Sequence, residues 1–116
     1  MIFIAKNEKG TPSWKLALDG KKTVTRRLKP LPIGKDFAIQ PGRGKFAVCR
    51  ARVKSCINSH RHLLLTANGT DADLEWMEME AKKEGFLTWD GVLKFLKDKK
   101  IDWLDTYRIE FELIKL

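Results

Sequence analysis

The chain has 116 residues, 43% apolar and 33% charged, which fits one globular domain and excludes a disordered tail or a two-domain assembly. No apolar run approaches the ~20 residues of a membrane helix, and the apolar start Met1–Ala5, with no basic segment before it, is too short for a signal-peptide core. The net charge of +8 comes from one half: residues 1–61 hold 15 Lys/Arg against 3 Asp/Glu (+12), and residues 62–116 hold 8 against 12 (−4), a one-sided field that suits a polyanionic partner or a solvated lysine-rich face.

In chain order, Met1–Ala5 reads as a first strand, followed by a polar connection from Asn7 to Pro12. Ser13 is placed to cap a short helix over Trp14–Asp19, and Gly20 to end it. The basic segment Gly20–Arg27 comes next. Val24 is its only strongly apolar residue, so one side is expected to face solvent. Pro30, Pro32 and Gly34 break the chain before a short strand, Asp36–Gln40. Pro41-Gly42 suits the central pair of a type II turn.

Phe46–Ser55 reads as a strand with Ala47, Cys49, Ala51 and Val53 on one face and the cations Arg50, Arg52 and Lys54 on the other. On a straight strand the odd separation of Cys49 and Cys56 puts them on opposite faces, so two reduced thiols are expected. Asn58–Gly69 carries little signal; Leu63-Leu64-Leu65 fits a helical turn or a strand. A helix starts at Thr70 or Asp71 and runs to about Glu84, with Leu74, Met77 and Ala81 as its core face and Gly85 as its stop. Thr88 caps another helix, to about Lys99. Tyr107–Ile114 closes the chain as a strand, with Tyr107, Ile109, Phe111 and Leu113 on one face and Arg108, Glu110 and Glu112 on the other. Four or five short strands with about three inserted helices predict an α+β domain built on a small, partly open mixed β-barrel.

Common chemical motifs are absent. Gly42-Arg43-Gly44-Lys45 lacks the spacing of a phosphate loop, no nucleophile elbow occurs, and Cys56, His60 and His62 have no second ligand cluster to complete a zinc site. No metal or cofactor is expected. Of the four tryptophans, Trp14 and Trp89 sit at helix starts and are read as core covers.

The segment from Lys21 to Arg27 stands apart. Lys21, Lys22, Arg26 and Arg27 surround Thr23 and Thr25, offering cations for phosphate or carboxylate and hydroxyls for a base or sugar. Glu84 is a second anomaly: a carboxylate in the last turn of its helix opposes the helix dipole, so it is expected either to be exposed or to have a compensating cation, for which Lys22 is a candidate.

Leu18-Asp19-Gly20-Lys21-Lys22-Thr23-Val24-Thr25-Arg26-Arg27 resembles the signature of ASCH domains, relatives of the PUA RNA-binding fold. The likeness continues through Ile33–Lys45, Glu84-Gly85-Phe86 and the closing strand Tyr107–Leu113, and so covers nearly the whole chain in order. It implies a PUA-like barrel with a cleft beside the signature that binds RNA or a modified nucleoside. In the branch that hydrolyses N4-acetylcytidine, a Lys, a Thr and a Glu form the catalytic set, which falls here on Lys22, Thr25 and Glu84. That branch usually has an apolar residue between the second Thr and a single Arg; this chain has Arg26-Arg27.

Two functions follow as expectations. One is a cytoplasmic, monomeric binding module whose Lys21, Lys22, Thr23, Arg26, Arg27 and Arg50/Arg52 stripe contact RNA or a modified nucleoside. The other is a metal-independent amidohydrolase, with Lys22 as base, Thr25 as nucleophile or water-orienting group and Glu84 as proton carrier.

Overall fold

The computed structural model describes residues 1–66 and 72–114. The fold is α+β, with four helices among the described residues: α1 (Ser13–Leu18), α2 (Ser59–Thr66), α3 (Ala72–Lys83) and α4 (Trp89–Asp98). Four strands, β1 (Val24–Arg27), β2 (Asp36–Ile39), β3 (Cys49–Asn58) and β4 (Tyr107–Leu113), form one antiparallel sheet in the order β1-β4-β3-β2. A single 3₁₀ turn, Trp103–Asp105, leads into β4.

The sheet curls into a half-barrel without closing, because β1 and β2 are its free edges. Met1–Ala5, expected as a strand, is not a regular one. It touches β2 through a single parallel bridge, Ile2 to Gln40, with Phe3 N donating to Gln40 O (2.9 Å) and Gln40 N to Met1 O (2.9 Å). On its other side Arg27 of β1 donates to Ile2 O (3.0 Å). The N-terminal segment thus spans the gap between the two edge strands, a position that allows only broken pairing.

Each sheet face has its own cover. Alternation along the strands sends Phe37, Ile39, Ala51, Val53, Ile109 and Phe111 to one side, where they pack with Phe3 and Ala17 of the N-terminal region. Phe3, Phe37 and Phe111 meet there at centroid distances of 5.6–6.5 Å. A second cluster joins α3 and α4 through Ala81, Val92, Leu96 and Trp103, with Trp76 and Trp89 packed against it. Thr88 caps α4 as expected, its hydroxyl accepting from Gly91 N (3.1 Å).

Several local expectations are corrected. Pro12, not Ser13, holds the N-cap position of α1; Ser13 is buried in the first turn. The turn after β2 closes between Gly42 and Lys45 (3.3 Å), and β3 begins only at Cys49, leaving Phe46 96% exposed. The register shifts between Val53 and Ser55, so a bulge at Lys54 inverts the alternation, and Cys49 and Cys56 both pack against the same core. Both are free thiols. In the stretch from Asn58, Asn58 ends β3 and Ser59–Thr66 forms α2, while residues 67–69 lie outside the described residues. The expected helix start at Thr70 or Asp71 lies outside the described residues. Leu74 is exposed rather than in the core, because α3 turns Trp76, Glu80, Ala81 and Glu84 inward instead.

Two glycines set the chain's path near the signature segment. Gly20, at φ 77°, ends α1 in the left-handed region and lets Lys21 N and Lys22 N both donate to Leu16 O (2.9 and 3.0 Å). Gly85, at φ 94°, ends α3 where a Cβ would lie 3.0 Å from Leu16 Cδ1 and 3.6 Å from Lys22 Cβ. Together they bring the end of α3 against Lys22. Gly85→Ala should therefore lower the free energy of unfolding by about 1–3 kcal/mol, from backbone strain and the Leu16 contact. A urea titration monitored by tryptophan fluorescence measures this, and an unchanged midpoint would refute the close approach.

Candidate functional site

Lys22 follows the turn at Gly20 and points back into the protein, with only 6% of its surface exposed. Its Nζ donates to Val24 O and to Glu84 O, both at 2.8 Å, and lies 5.4 Å from the centroid of the Phe3 ring. Burial draws the amine's pKa down to about 7; Glu84 opposes that shift, and Arg27 and Arg26 add to it. A neutral amine has two N–H bonds and one lone pair. The two carbonyls accept both N–H bonds, which leaves the lone pair directed elsewhere.

Glu84 closes α3 and is 5% exposed. Burial pushes its carboxyl above the ordinary range against the pull of Arg26 and Lys22, while Glu80 adds to the rise. Its candidate partner was Lys22. Lys22 does reach it, but through the main-chain oxygen; the side chain instead faces Arg26, with Nε 3.1 Å from Glu84 Oε2. That contact is an ion pair without the alignment of a hydrogen bond.

Arg26 requires a correction. It was expected to meet a ligand, but its side chain is 1% exposed and lies in an internal network. Nη2 donates to Glu80 Oε2 (2.7 Å), Nη1 donates to Ser59 Oγ, and the guanidinium lies 4.6 Å from the Trp103 ring centroid. Arg108 grips the same carboxylate from β4, with Nε 2.8 Å from Glu80 Oε2 and Nη2 2.9 Å from Oε1. Thr106 Oγ1 donates to Trp103 O (2.6 Å), so its hydrogen is committed. Ser59 Oγ must then donate to Thr106 Oγ1 (2.8 Å) and accept from Arg26, which leaves neither hydroxyl free as a nucleophile. Burial alone would raise the Glu80 carboxyl, but hydrogen bonds and charge from Arg108, then Arg26, hold it below its usual value.

The other site residues are dispersed. Thr25 is buried opposite Ile109 on the core side of β1, whereas its neighbour Arg26 opposes Arg108 on the helix side. Among the described residues no hydrogen bond joins Thr25 to Lys22 or Glu84, although Lys22 Nζ holds the carbonyl of the peptide that leads into Thr25. Thr23 is tied through its backbone, N to Lys83 O (2.8 Å) and O from Phe111 N (3.0 Å). Arg27 is half-buried at Ile2 and lies 5.3 Å from the Phe3 centroid. Lys21 and Arg50 are exposed. Arg52 is paired with Asp36 (2.8 Å) on the open part of the sheet's outer face. The expected ligand contacts therefore do not converge on one surface. A cleft of about 320 Å³ opens beside Lys22 and Thr23, between Ala17 and Gly20 on one side and Lys54 and the Glu110–Leu113 end of β4 on the other. It reaches Lys22 but is not lined by Thr25 or Glu84.

Sequence reasoning missed Glu80, Arg108, Ser59 and Thr106. The available signal was the spacing Trp76–Glu80–Glu84, one helical turn apart each time, beside a strand arginine. No protein-family model, curated protein or solved structure gives a significant match to this chain.

Two outcomes follow from the burial. Arg108→Met should cost about 3–5 kcal/mol, because Glu80 would keep a buried charge with half its partners removed; calorimetry at neutral pH measures it. For Lys22, the folded-state pKa of about 7 lies below the 10.5 of an ordinary lysine. The folded protein therefore holds fewer protons between these values, so this group's destabilising effect is complete below pH about 7 and fades as pH rises toward 10.5. Lys22→Met should accordingly be more stable than wild type at pH 6, by roughly 2–5 kcal/mol, with the gap narrowing by pH 10. A gap independent of pH would mean that Lys22 is not desolvated.

Proposed function

We propose that this chain is a metal-independent amidohydrolase of the ASCH, PUA-like type, acting on an N4-acylated cytidine or a similar modified nucleoside. The observation that carries the reading is the Lys22–Glu84 pair. Both groups are buried, they touch through Lys22 Nζ and Glu84 O (2.8 Å), and both are shifted toward their uncharged forms. A neutral amine accepts a proton and a neutral carboxyl gives one, which is the division of labour amide hydrolysis needs. The resemblance of the Gly20–Arg27 segment to the ASCH signature supports the same reading.

In the proposed reaction Lys22 Nζ takes the proton of the nucleophile, either Thr25 Oγ1 or a water that Thr25 orients. The nucleophile's oxygen bonds to the acyl carbon and the C–N bond breaks. Glu84 gives its proton to the departing amine nitrogen. If Thr25 is acylated, Lys22 first returns its proton to the Glu84 carboxylate; the neutral amine then takes a proton from a water that attacks the ester carbon, and Lys22 passes that proton to the departing Thr25 oxygen as the acid is released. The cleft beside Lys22 and Thr23 offers the approach to the amine.

The binding-module reading rests on cations, several of which are committed elsewhere: Arg26 to Glu80 and Glu84, and Arg52 to Asp36. Lys21 and Arg50 remain exposed. The hydrolase reading therefore takes precedence.

The test is release of cytidine from N4-acetylcytidine by the purified protein. Lys22→Ala should lower kcat/KM by about 10²–10⁴-fold. The wild-type pH profile should be bell-shaped, limited on the acid side by protonation of Lys22 and on the alkaline side by ionisation of Glu84. Absence of turnover at high enzyme concentration, together with RNA affinity that falls steeply with salt, would sink the hydrolase in favour of a binding module.

A further inference from the structure

The Arg26 side chain is 1% exposed and lies where no ligand can reach it. Its guanidinium is held on three sides. Glu80 accepts from Nη2 (2.7 Å), Ser59 accepts from Nη1, and the Trp103 ring covers one face at 4.6 Å. The holders are themselves fixed: Glu80 by two hydrogen bonds from Arg108, and Ser59 by the directed chain through Thr106 to Trp103 O. Elements β1, α2, α3, β4 and the 3₁₀ turn all contribute, so the guanidinium has no alternative orientation within this packing. Of its three nitrogens only Nε makes no hydrogen bond; it faces Glu84 Oε2 at 3.1 Å.

We propose that Arg26, locked by Glu80 and Ser59, is the positioning residue that holds the Glu84 carboxyl beside Lys22. This rests on the hydrolase reading above and deepens it. By occupying Oε2, Arg26 leaves Oε1 as the oxygen that carries the transferable proton. Arg26 itself does not touch the substrate. The charged groups acting on Glu84 are Arg26 and Lys22 from the signature segment and Glu80 from its own helix; those acting on Lys22 are Glu84, Arg27 and Arg26.

Two variants test this, each read by turnover and by NMR titration of the Lys22 amine and the Glu84 carboxyl in the absence of substrate. Arg26→Met removes a cation near both groups, so both titrations should move to higher pH, and kcat should fall about 10²-fold with KM little changed. Arg26→Lys keeps the charge opposite Glu80 but lacks the fork. It should leave the Lys22 midpoint near about 7 while kcat still falls about tenfold or more. This variant carries the test if Arg26→Met does not fold.

A folded Arg26→Lys with wild-type kcat would overturn the proposal, as would a folded Arg26→Met with both titrations in place. Its failure is distinguishable from failure of the hydrolase reading. If wild type gives no turnover but the titrations still move in Arg26→Met, Arg26 positions the pair and the assigned reaction is wrong. Turnover lost in Lys22→Ala but kept in both Arg26 variants leaves the reaction standing and removes Arg26 from it.

Discussion

The structure depends on a carboxylate that faces inward. Glu80 lies on the buried side of α3, and the helix can dock on the sheet only because Arg108 and Arg26 meet it there. An unpaired carboxylate at that depth would cost several kcal/mol, whereas the paired cluster gives back little more than it loses by desolvation. Its contribution is therefore better described as register than as stability. Glu80 and Glu84 are one helical turn apart, and the fork of Arg108 fits only the first of them in this packing. A slip of α3 by one turn would leave a buried charge without its two-pronged partner. Ladder pairing of Arg26 with Arg108 across β1 and β4 then fixes both arginines relative to the same carboxylate.

Once α3 is seated this way, the surroundings of Lys22 follow. Glu84 comes one turn after Glu80 and arrives at the end of β1, where the left-handed turn at Gly20 has already directed Lys22 inward. Gly85 removes the side chain that would hold the helix end away. The amine is then desolvated against the Phe3 ring and the edge of β1, and the carboxyl beside the Arg26 guanidinium. In the proposed reaction this shared burial matters more than any single hydrogen bond, because it favours the neutral form of both groups at once.

Much of this architecture was legible in the sequence. Alternation identified β4, period and capping identified α4 with its Thr88 cap, and the stop at Gly85 placed the end of α3. Legibility failed wherever a pattern assumed one wet face. Alternation put Arg108 on the face opposite Ile109, yet it does not say what covers that second face of the sheet. Glu80 failed for the same reason on a helix: a carboxylate is assigned outward unless its cation is known, and that cation lies on a distant strand. Leu74 was the converse error. A bulge at Lys54 defeated the parity argument for Cys49 and Cys56, since one extra residue exchanges the two faces. Lys22 was a candidate partner for Glu84 from the helix dipole, and only the atom involved differed, a main-chain oxygen in place of the carboxylate.

The uneven charge of the chain takes on a different meaning once the fold is known. A count of +12 over residues 1–61 treats all its cations alike. Lys22 and Arg26 are buried, Arg27 ties the N-terminal segment to β1, and Arg52 is neutralised by Asp36. Half of the six arginines in that stretch are therefore internal or paired, and the other three, Arg43, Arg50 and Arg61, reach solvent at separate points of the chain among the exposed lysines. Arginine forks are the groups that grip phosphate at fixed geometry, whereas dispersed lysines supply a diffuse field. Such a field assists the approach of an anionic ligand without fixing its pose. In the proposed reaction, discrimination between ligands would fall to the cleft beside Lys22 and Thr23, whose rim mixes Lys54 with Glu110 and Glu112. A rim of mixed sign disfavours a continuous phosphate backbone and suits a small ligand with both donors and acceptors. The single nucleoside of the proposed reaction meets that description better than a polymer does.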